Sequence, residues 1–169
     1  PRSRGRGARP VRRADREITR REELLSIMER CDVCRLALNG DDGYPYLLPL
    51  NFGLEDDGER LTLYFHGANE GTKYRLLARD NRVSFEMDCA HRLHTDVERG
   101  YCTMEYESVM GRGFVDILPE EEKYPALEKL MAHYHREAFA FNPAAIPRTT
   151  VLRLTVTQLT GKRRQVRQP

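Results

Sequence analysis

Hydrophobic spacing along the chain changes period several times, and each change marks an element. Leu24, Ile27, Met28 and Cys31 recur at intervals of three and four residues, and Thr19 precedes Glu22 as in a capping box, so the spacing predicts a helix over residues 20–31. After it the period drops toward two. VCRLAL (33–38), YPYLLPLNFG (44–53) and LTLYFH (61–66) predict three consecutive antiparallel strands, with turns at Asn39–Gly43 and Asp56–Gly58 between them. Proline cannot donate to a ladder, so Pro45 and Pro49 place the middle strand at an edge or leave it locally unpaired, where a ligand can bond its backbone. A glycine-containing loop, HGANEG, then leads into a short helix, and NRVSFEMD (81–88) resumes a strand.

Residues 89–100 are polar and aperiodic and read as an irregular segment. A long strand follows from Tyr101 through Val115, with Gly111 and Gly113 as bend or bulge positions. Pro119 in a first turn, the acidic run Glu120–Glu122 at the positive end of the dipole, and Tyr124, Leu127, Leu130, Met131 and Tyr134 predict an amphipathic helix. TTVLRLTV (149–156) is a final strand. Six strands joined mostly by hairpins, with helices at one end and between the late strands, give an α+β fold built on a small antiparallel barrel.

Length and charge narrow the picture. A chain of 169 residues is one ordinary domain, and no apolar run approaches the roughly 20 residues of a membrane helix, so no membrane role is expected. Residues 1–13 hold six arginines and residues 161–169 hold Lys162, Arg163, Arg164 and Arg167, with no acid in either stretch. Removing those ten from the 28 leaves 18 basic against 26 acidic groups, a body of net charge −8. Such a body repels phosphate backbones, so no nucleic-acid partner is expected. The ends are too rich in Arg, Gly and Pro to bury, which divides the chain into a basic tail (1–11), a domain (12–162) and a basic C-terminal tail (163–169). Four cysteines without a secretory pattern point to reduced thiols and a cytoplasmic location.

Candidate chemistry concentrates in LTLYFHGANEGTKYRLL. A strand brings His66 to its end, Gly67 and Gly71 permit close backbone approach, and Lys73 stands in the first turn of a helix. Free N–H groups, a positive helix end and an ammonium group suit a phosphate; the same residues also suit a plain strand-to-helix turn with a surface lysine. His66 could bond a backbone carbonyl or act on protons of a substrate. Of Tyr64 and Phe65, on alternate faces, one is expected in the core and the other could border a ligand. Cys31-x2-Cys34 has ligand spacing, with Cys89, His91, His94 and Cys102 on the polar segment. Cys31 closes a helix and Cys34 enters a strand, however, so buried thiols and no metal are expected. His133 and His135 point to different helix faces and read as one packed and one exposed histidine.

Several blocks occur together in one order: RRADREIT (12–19), DDGYPYLLPLNFG (41–53), LYFHGANEGTK (63–73), NRVSFEMD, YESVMGRG (106–113) and EEEKYPALEKLMAHY (120–134). In this order and spacing the chain resembles the pyridoxamine-phosphate-oxidase-like flavoproteins, and within them the Nim-type 5-nitroimidazole resistance branch. The resemblance implies an FMN-binding split β-barrel, a homodimer with two flavin sites at the subunit interface. By position it implies that Leu48, Pro49, Leu50 and Asn51 run beside the flavin ring and ribityl chain, that His66 and Gly67 contact FMN, and that Thr72 and Lys73 hold its phosphate. It implies a further contact from the partner subunit through Tyr106, with Ser108 as a second candidate. Cys102 also matches a cysteine common in that branch.

The oxidase proper recognises pyridoxal phosphate through a C-terminal segment with tryptophan, whereas this chain has no Trp and ends TGKRRQVRQP, so vitamin B6 oxidation is not expected. The implied activity is an FMN-dependent, nitroreductase-like oxidoreductase. It would take electrons from a reduced nicotinamide or another donor and pass them to a small electrophilic acceptor such as a 5-nitroimidazole, with His66 as the catalytic proton donor. Alternatives are a non-catalytic flavin carrier, or a haem- or deazaflavin-binding protein on the same barrel.

Overall fold

The computed structural model describes residues 11–166. Its strands are β1 (Glu17–Ile18), β2 (Cys34–Asn39), β3 (Pro45–Leu50), β4 (Gly53–Asp56), β5 (Leu61–Ala68), β6 (Arg82–Asp96), β7 (Tyr101–Ile117) and β8 (Thr149–Arg164). The helices are α1 (Arg21–Arg30), α2 (Thr72–Arg79) and α3 (Glu120–Tyr134). All strand pairs are antiparallel, in the order β3-β2-β6-β7-β8-β5-β4, with β1 added beside β8. β3 and β4 are the two ends of this path, yet only Asn51 and Phe52 separate them in the chain. Two residues cannot span an open sheet, so the sheet curls until its edges meet at that corner. The edges come together at that corner without a ladder between them, which makes an antiparallel α+β split barrel.

Alternation on each strand fills the interior. Cys34, Leu36 and Leu38 of β2, Leu63 and Phe65 of β5, Val83, Phe85 and Met87 of β6, and Leu152 and Leu154 of β8 point inward, closed off by Leu24, Ile27 and Met28 of α1. A smaller cluster of Leu118, Ala126, Leu127 and Val151 lies beneath α3.

Several expectations change. Among the described residues there are eight strands instead of six, because the segment read as one strand over 44–53 breaks at Asn51–Phe52 and because Glu17–Ile18 adds a short strand. β2 pairs with β3 and β4 with β5, but β3 does not pair with β5, so the three strands are not one meander. The capping box does not form: α1 is preceded by Arg20 with no side-chain cap, since pairing of Ile18 with Gly161 sets the direction from which the chain arrives. Pro119 is likewise the residue before α3, not part of its first turn.

Of the segment 89–100, residues 89–96 are not irregular: they continue β6 and pair with the start of β7, whose strand begins at Tyr101 as expected, and only 97–100 form a turn. This β-ribbon is largely exposed on both faces, which is why no apolar alternation marks 89–96. β8 continues to Arg164, well past residue 156. Arg163 joins Glu107 at 2.5 Å and Glu23 at 3.0 Å, and Arg164 bonds Tyr101, so these two residues belong to the domain and not to a tail. The remaining tail residues, 1–10 and 167–169, lie outside the described residues.

The expected bend appears as a register shift between Arg112 and Gly113 of β7. A Cβ at Gly113 would stand 2.0 Å from the Thr155 carbonyl oxygen and 2.8 Å from Leu154 Cδ1. Gly113→Ala therefore overpacks the β7–β8 ladder and should lower stability by about 2 kcal/mol. Urea unfolding checks this, a lower midpoint with an unchanged slope being expected.

Candidate functional site

β5 sends Phe65 into the core and turns His66 outward at the strand's end. Partial burial pushes the His66 imidazole below the ordinary histidine value, so it is mostly neutral at pH 7. Tyr64, on the same face as His66, packs against the cluster beneath α3. Its hydroxyl donates to Glu55 at 2.8 Å, and burial, then that bond, push its pKa up to about 12. Tyr64 and Phe65 are thus both packing residues.

Beyond β5 the chain turns at Gly71, whose φ of +141° lies where side chains strain the backbone, and enters α2. The first turn of α2 carries no acid and no side-chain cap, so its positive end is uncompensated. Lys73 folds back over this turn with Nζ 4.4 Å from the centre of the Tyr74 ring, and among the described residues no carboxylate pairs with it. The Tyr74 hydroxyl donates to the Ala68 carbonyl at 2.5 Å and pins the loop. A Cβ at Gly67 would stand 3.1 Å from both Lys73 Nζ and Tyr74 Oη, so the missing side chain is what lets the ammonium lie against β5. Gly67 and Lys73 therefore meet in one cationic corner at the start of α2, which Thr72 opens, while His66, the neighbour of Gly67 in β5, turns to the strand's other face. Motif spacing passes over Tyr74, for which an aromatic directly following the lysine is the available signal.

β3 pairs with β2 alone, so one side of its backbone is free, as its prolines require. Leu48 and Leu50 lean into the core, while Leu47 and Pro49 share the outer face with Ala37 and Arg35. At the end of β3 the corner is bolted to α3. The Tyr134 hydroxyl donates to the Asp32 carbonyl at 2.8 Å and accepts from the Phe52 N–H at 3.0 Å, while Asn51 Nδ2 donates to the same carbonyl at 3.3 Å. His133 Nε2 lies 2.8 Å from the Cys31 carbonyl, and its ring packs 4.2 Å from Phe52; His135 is exposed and stacks on Phe139. At the start of β3, α2 holds the β2–β3 turn: Arg79 donates to the carbonyls of Asn39 and Gly40, and Arg75 pairs with Asp41. The edge strand and the cationic corner are parts of one braced unit.

Tyr106 and Ser108 are elsewhere. Ser108 pairs with Lys162 on β8, whereas His66 pairs with Val151, eleven residues away along the same strand. At about 3.3 Å per residue that is roughly 35 Å of strand, so Tyr106 and Ser108 do not join His66 and Lys73 within one chain. They lie instead on the outer face of β7, in line with Met110 and Arg112. Rungs across this face read Pro49-Arg35-Glu86-Met110-Thr160 and Leu47-Ala37-Ser84-Arg112-Gln158, and a groove of about 630 Å³ opens along them. Arg35 bridges Glu86 at 3.1 Å and Asp88 at 2.6 Å; burial, with Asp88 nearby, pushes Glu86 upward in pKa. Leu47, Met110 and Phe114 stand on it uncovered. Cys31 and Cys34 are buried, and among the described residues no three His, Cys, Asp or Glu side chains converge as a metal site. Among the same residues no helix is long and apolar enough to cross a membrane.

Residues 20–163 match the sequence profile of the pyridoxamine 5'-phosphate oxidase family. The chain belongs to that family. A candidate 5-nitroimidazole antibiotic resistance protein from Bacteroides thetaiotaomicron is 34% identical, with a TM-score of 0.76 over 86% of this chain and 85% of that one. Two further structures share the fold at lower identity. The flavocytochrome Anf3 from Azotobacter vinelandii has 17% identity and a TM-score of 0.74 over 93% of this chain and 73% of its own. An FAD and heme binding protein from Mycobacterium smegmatis has 19% and 0.74 over 89% and 74%. No curated protein matches the sequence. Within this family's split barrel the cationic corner and the free edge of β3 lie on elements that the bracing by α2 and α3 keeps fixed.

Proposed function

We propose that this family member binds FMN and uses it to reduce small electrophilic acceptors, nitro-aromatics such as 5-nitroimidazoles among them. The observation that carries the reading is Lys73, a cation without a carboxylate partner among the described residues, set on an uncapped helix end and against a glycine that gives it room. That corner fits a terminal phosphate dianion: Lys73 supplies charge, the first turn of α2 supplies N–H groups, and Thr72 supplies a hydroxyl. FMN ends in such a dianion, whereas FAD carries a diester there and would need a second nucleotide site that the sequence does not offer. The free side of β3, from Leu48 to Asn51, would bond and orient the ring system, and His66 and Gly67 would line its approach. When bound, the flavin supplies the electron-transfer chemistry. His66, held mostly neutral by burial, would take up a proton and give it to the reduced acceptor. The likeness to the Bacteroides protein supports a nitroimidazole as acceptor; the donor would be a reduced nicotinamide or an equivalent reductant.

The site is completed by a second copy of the chain. Tyr106 and Ser108 cannot reach the corner of their own barrel, and the outer face that carries them also carries uncovered Leu47, Met110 and Phe114. Docked face to face, two copies would bury these side chains and give each flavin site its partner's Tyr106 and Ser108. Light scattering should return about twice the chain mass of 19.7 kDa, and Met110→Glu should shift it toward a single chain while weakening flavin binding. A wild-type mass of one chain rejects the dimer.

The proposed function is tested by titrating flavin-free protein with FMN and with FAD, then mixing the reduced holoprotein with a 5-nitroimidazole. FMN should bind more tightly and the nitro compound should reoxidise it. FMN binding without reoxidation would leave a flavin carrier; a haem absorption band in the purified protein would replace the reading altogether.

A further inference from the structure

The groove along the outer face of β7 carries more positive charge than its surroundings balance. Arg12, Arg35, Arg112 and Lys162 line it, and among the described residues Glu86 is the one carboxylate in that lining. Arg35 already pairs with Glu86 and Asp88. Arg12, Arg112 and Lys162 have no side-chain hydrogen bond or ion pair among the described residues. Pairing of Glu17 with Lys162 lays the start of the described chain across this face, which brings Arg12 to the groove. Lys162 stands opposite Ser108, and Arg112 lies four residues farther along β7, about 13 Å of strand. Met110 lies between them, 47% exposed, and offers a ring an apolar and polarizable surface. Nothing in the flavin chemistry proposed above uses Arg12, Arg112 or Lys162.

Two-fold docking of this face, as proposed above, sets the patch against its own copy. The unpaired cations of one copy then face those of the other, and like charges brought together out of water repel. Glu86 does not balance them, since Arg35 holds it in each copy. The groove therefore calls for an anion from outside the chain. A compact anion meets one end of it only. Two phosphate groups set apart on one scaffold meet Lys162 and Arg112 together, and the body between them covers Met110.

We propose that this groove is the donor site and that it selects a reduced nicotinamide dinucleotide with an extra phosphate on its adenosine ribose, NADPH over NADH. Ser108 is one of the two residues assigned to the partner subunit's flavin, so the Lys162 end of the groove borders that flavin and the Arg112 end lies farther from it. The order along the groove follows: the nicotinamide at the Ser108 end, the pyrophosphate on Lys162, the adenosine over Met110 and the ribose phosphate on Arg112. Arg112 then meets a near-dianion that NADH lacks, whereas Lys162 meets a group that both dinucleotides carry. The donor's role rests on the flavin reading; its binding does not.

Full-length protein supplied with FMN is titrated with NADP+ and with NAD+, the oxidised forms, so that binding is read without turnover. NADP+ should bind about 10-fold more tightly. Arg112→Ala should bring NADP+ down to the NAD+ value and leave NAD+ unchanged, Arg112→Lys should keep most of the preference, and Lys162→Ala should weaken both dinucleotides by about 10-fold. FMN content and light-scattering mass should match the wild type in all three, and Lys73→Ala should bind NADP+ as the wild type does. Equal affinity for the two dinucleotides, binding of neither, or an Arg112→Ala loss shared equally by both would overturn the site. Release of FMN as NADP+ is added would also overturn it, by putting the dinucleotide on the Lys73 corner. The same Arg112 signature in protein that holds no FMN would uphold the groove and sink the flavin reading instead.

Discussion

His66→Ala is expected to keep FMN bound while slowing reoxidation of the reduced protein by a 5-nitroimidazole by about 10²- to 10⁴-fold, the range for loss of a positioned general acid. β5 carries His66 near the strand's end, one residue before Gly67 of the cationic corner, and no other histidine lies on that strand. Stopped-flow reoxidation, run beside a flavin-content assay, separates chemistry from binding. If His66 only shapes the pocket, flavin content and rate should fall together by a small factor, and a mutant with full flavin and the wild-type rate would remove the catalytic role. The pH profile carries the same test with a defined sign. Burial holds the imidazole below the ordinary histidine value, so the protonated form accumulates only as pH falls below neutral. The wild-type rate should climb over that interval and the His66→Ala rate should not. Folding has the opposite sense: the unfolded chain takes up the proton first as pH falls, so His66 weakens the native state through the same interval.

Lys73→Ala should weaken FMN by about 1.5 to 3 kcal/mol, on the order of 10- to 150-fold in Kd, which is the size of a charge-assisted bond to a phosphate. Lys73 makes no ion pair among the described residues, so removing it breaks no structural bridge. Its thermal midpoint without flavin should therefore match the wild type, and the loss should appear in the titration alone. Raising salt should narrow the difference, since the ammonium is only partly buried. Equal FMN affinity in wild type and mutant would mean that the phosphate binds elsewhere.

The residues behind both expectations, His66 and Lys73, stand out in the sequence itself. Local periodicity marks every α-helix, because each buries one stripe, and it marks the barrel strands wherever one face is core and the other is not, as in Leu61–Phe65 and Val83–Met87. It fails where both faces are alike. The outer half of β6, residues 89–96, and the last residues of β8 lack a buried face set against an exposed one, so their strand pairing leaves no alternation to read, and Arg163 reads as tail although Glu107 and Glu23 hold it. The capping box fails for a related reason. A pairing between residues 18 and 161 overrides a local preference of Thr19, and no local pattern encodes a partner that far away.

The α+β class, the free edge at Pro45 and Pro49, the phosphate-suited turn from Gly67 to Lys73 and the family resemblance all follow from the amino-acid order, since each depends on neighbours in the chain or on short blocks in succession. Three other features exist only in the folded molecule. β3 and β4 close the barrel from opposite ends, α3 braces their corner through Tyr134, and Tyr106 and Ser108 lie far along the barrel from Lys73. The physical reason is common to all three: strand pairing and helix packing bring together residues far apart in sequence, and their mutual distances follow from register and curvature, which no single segment contains.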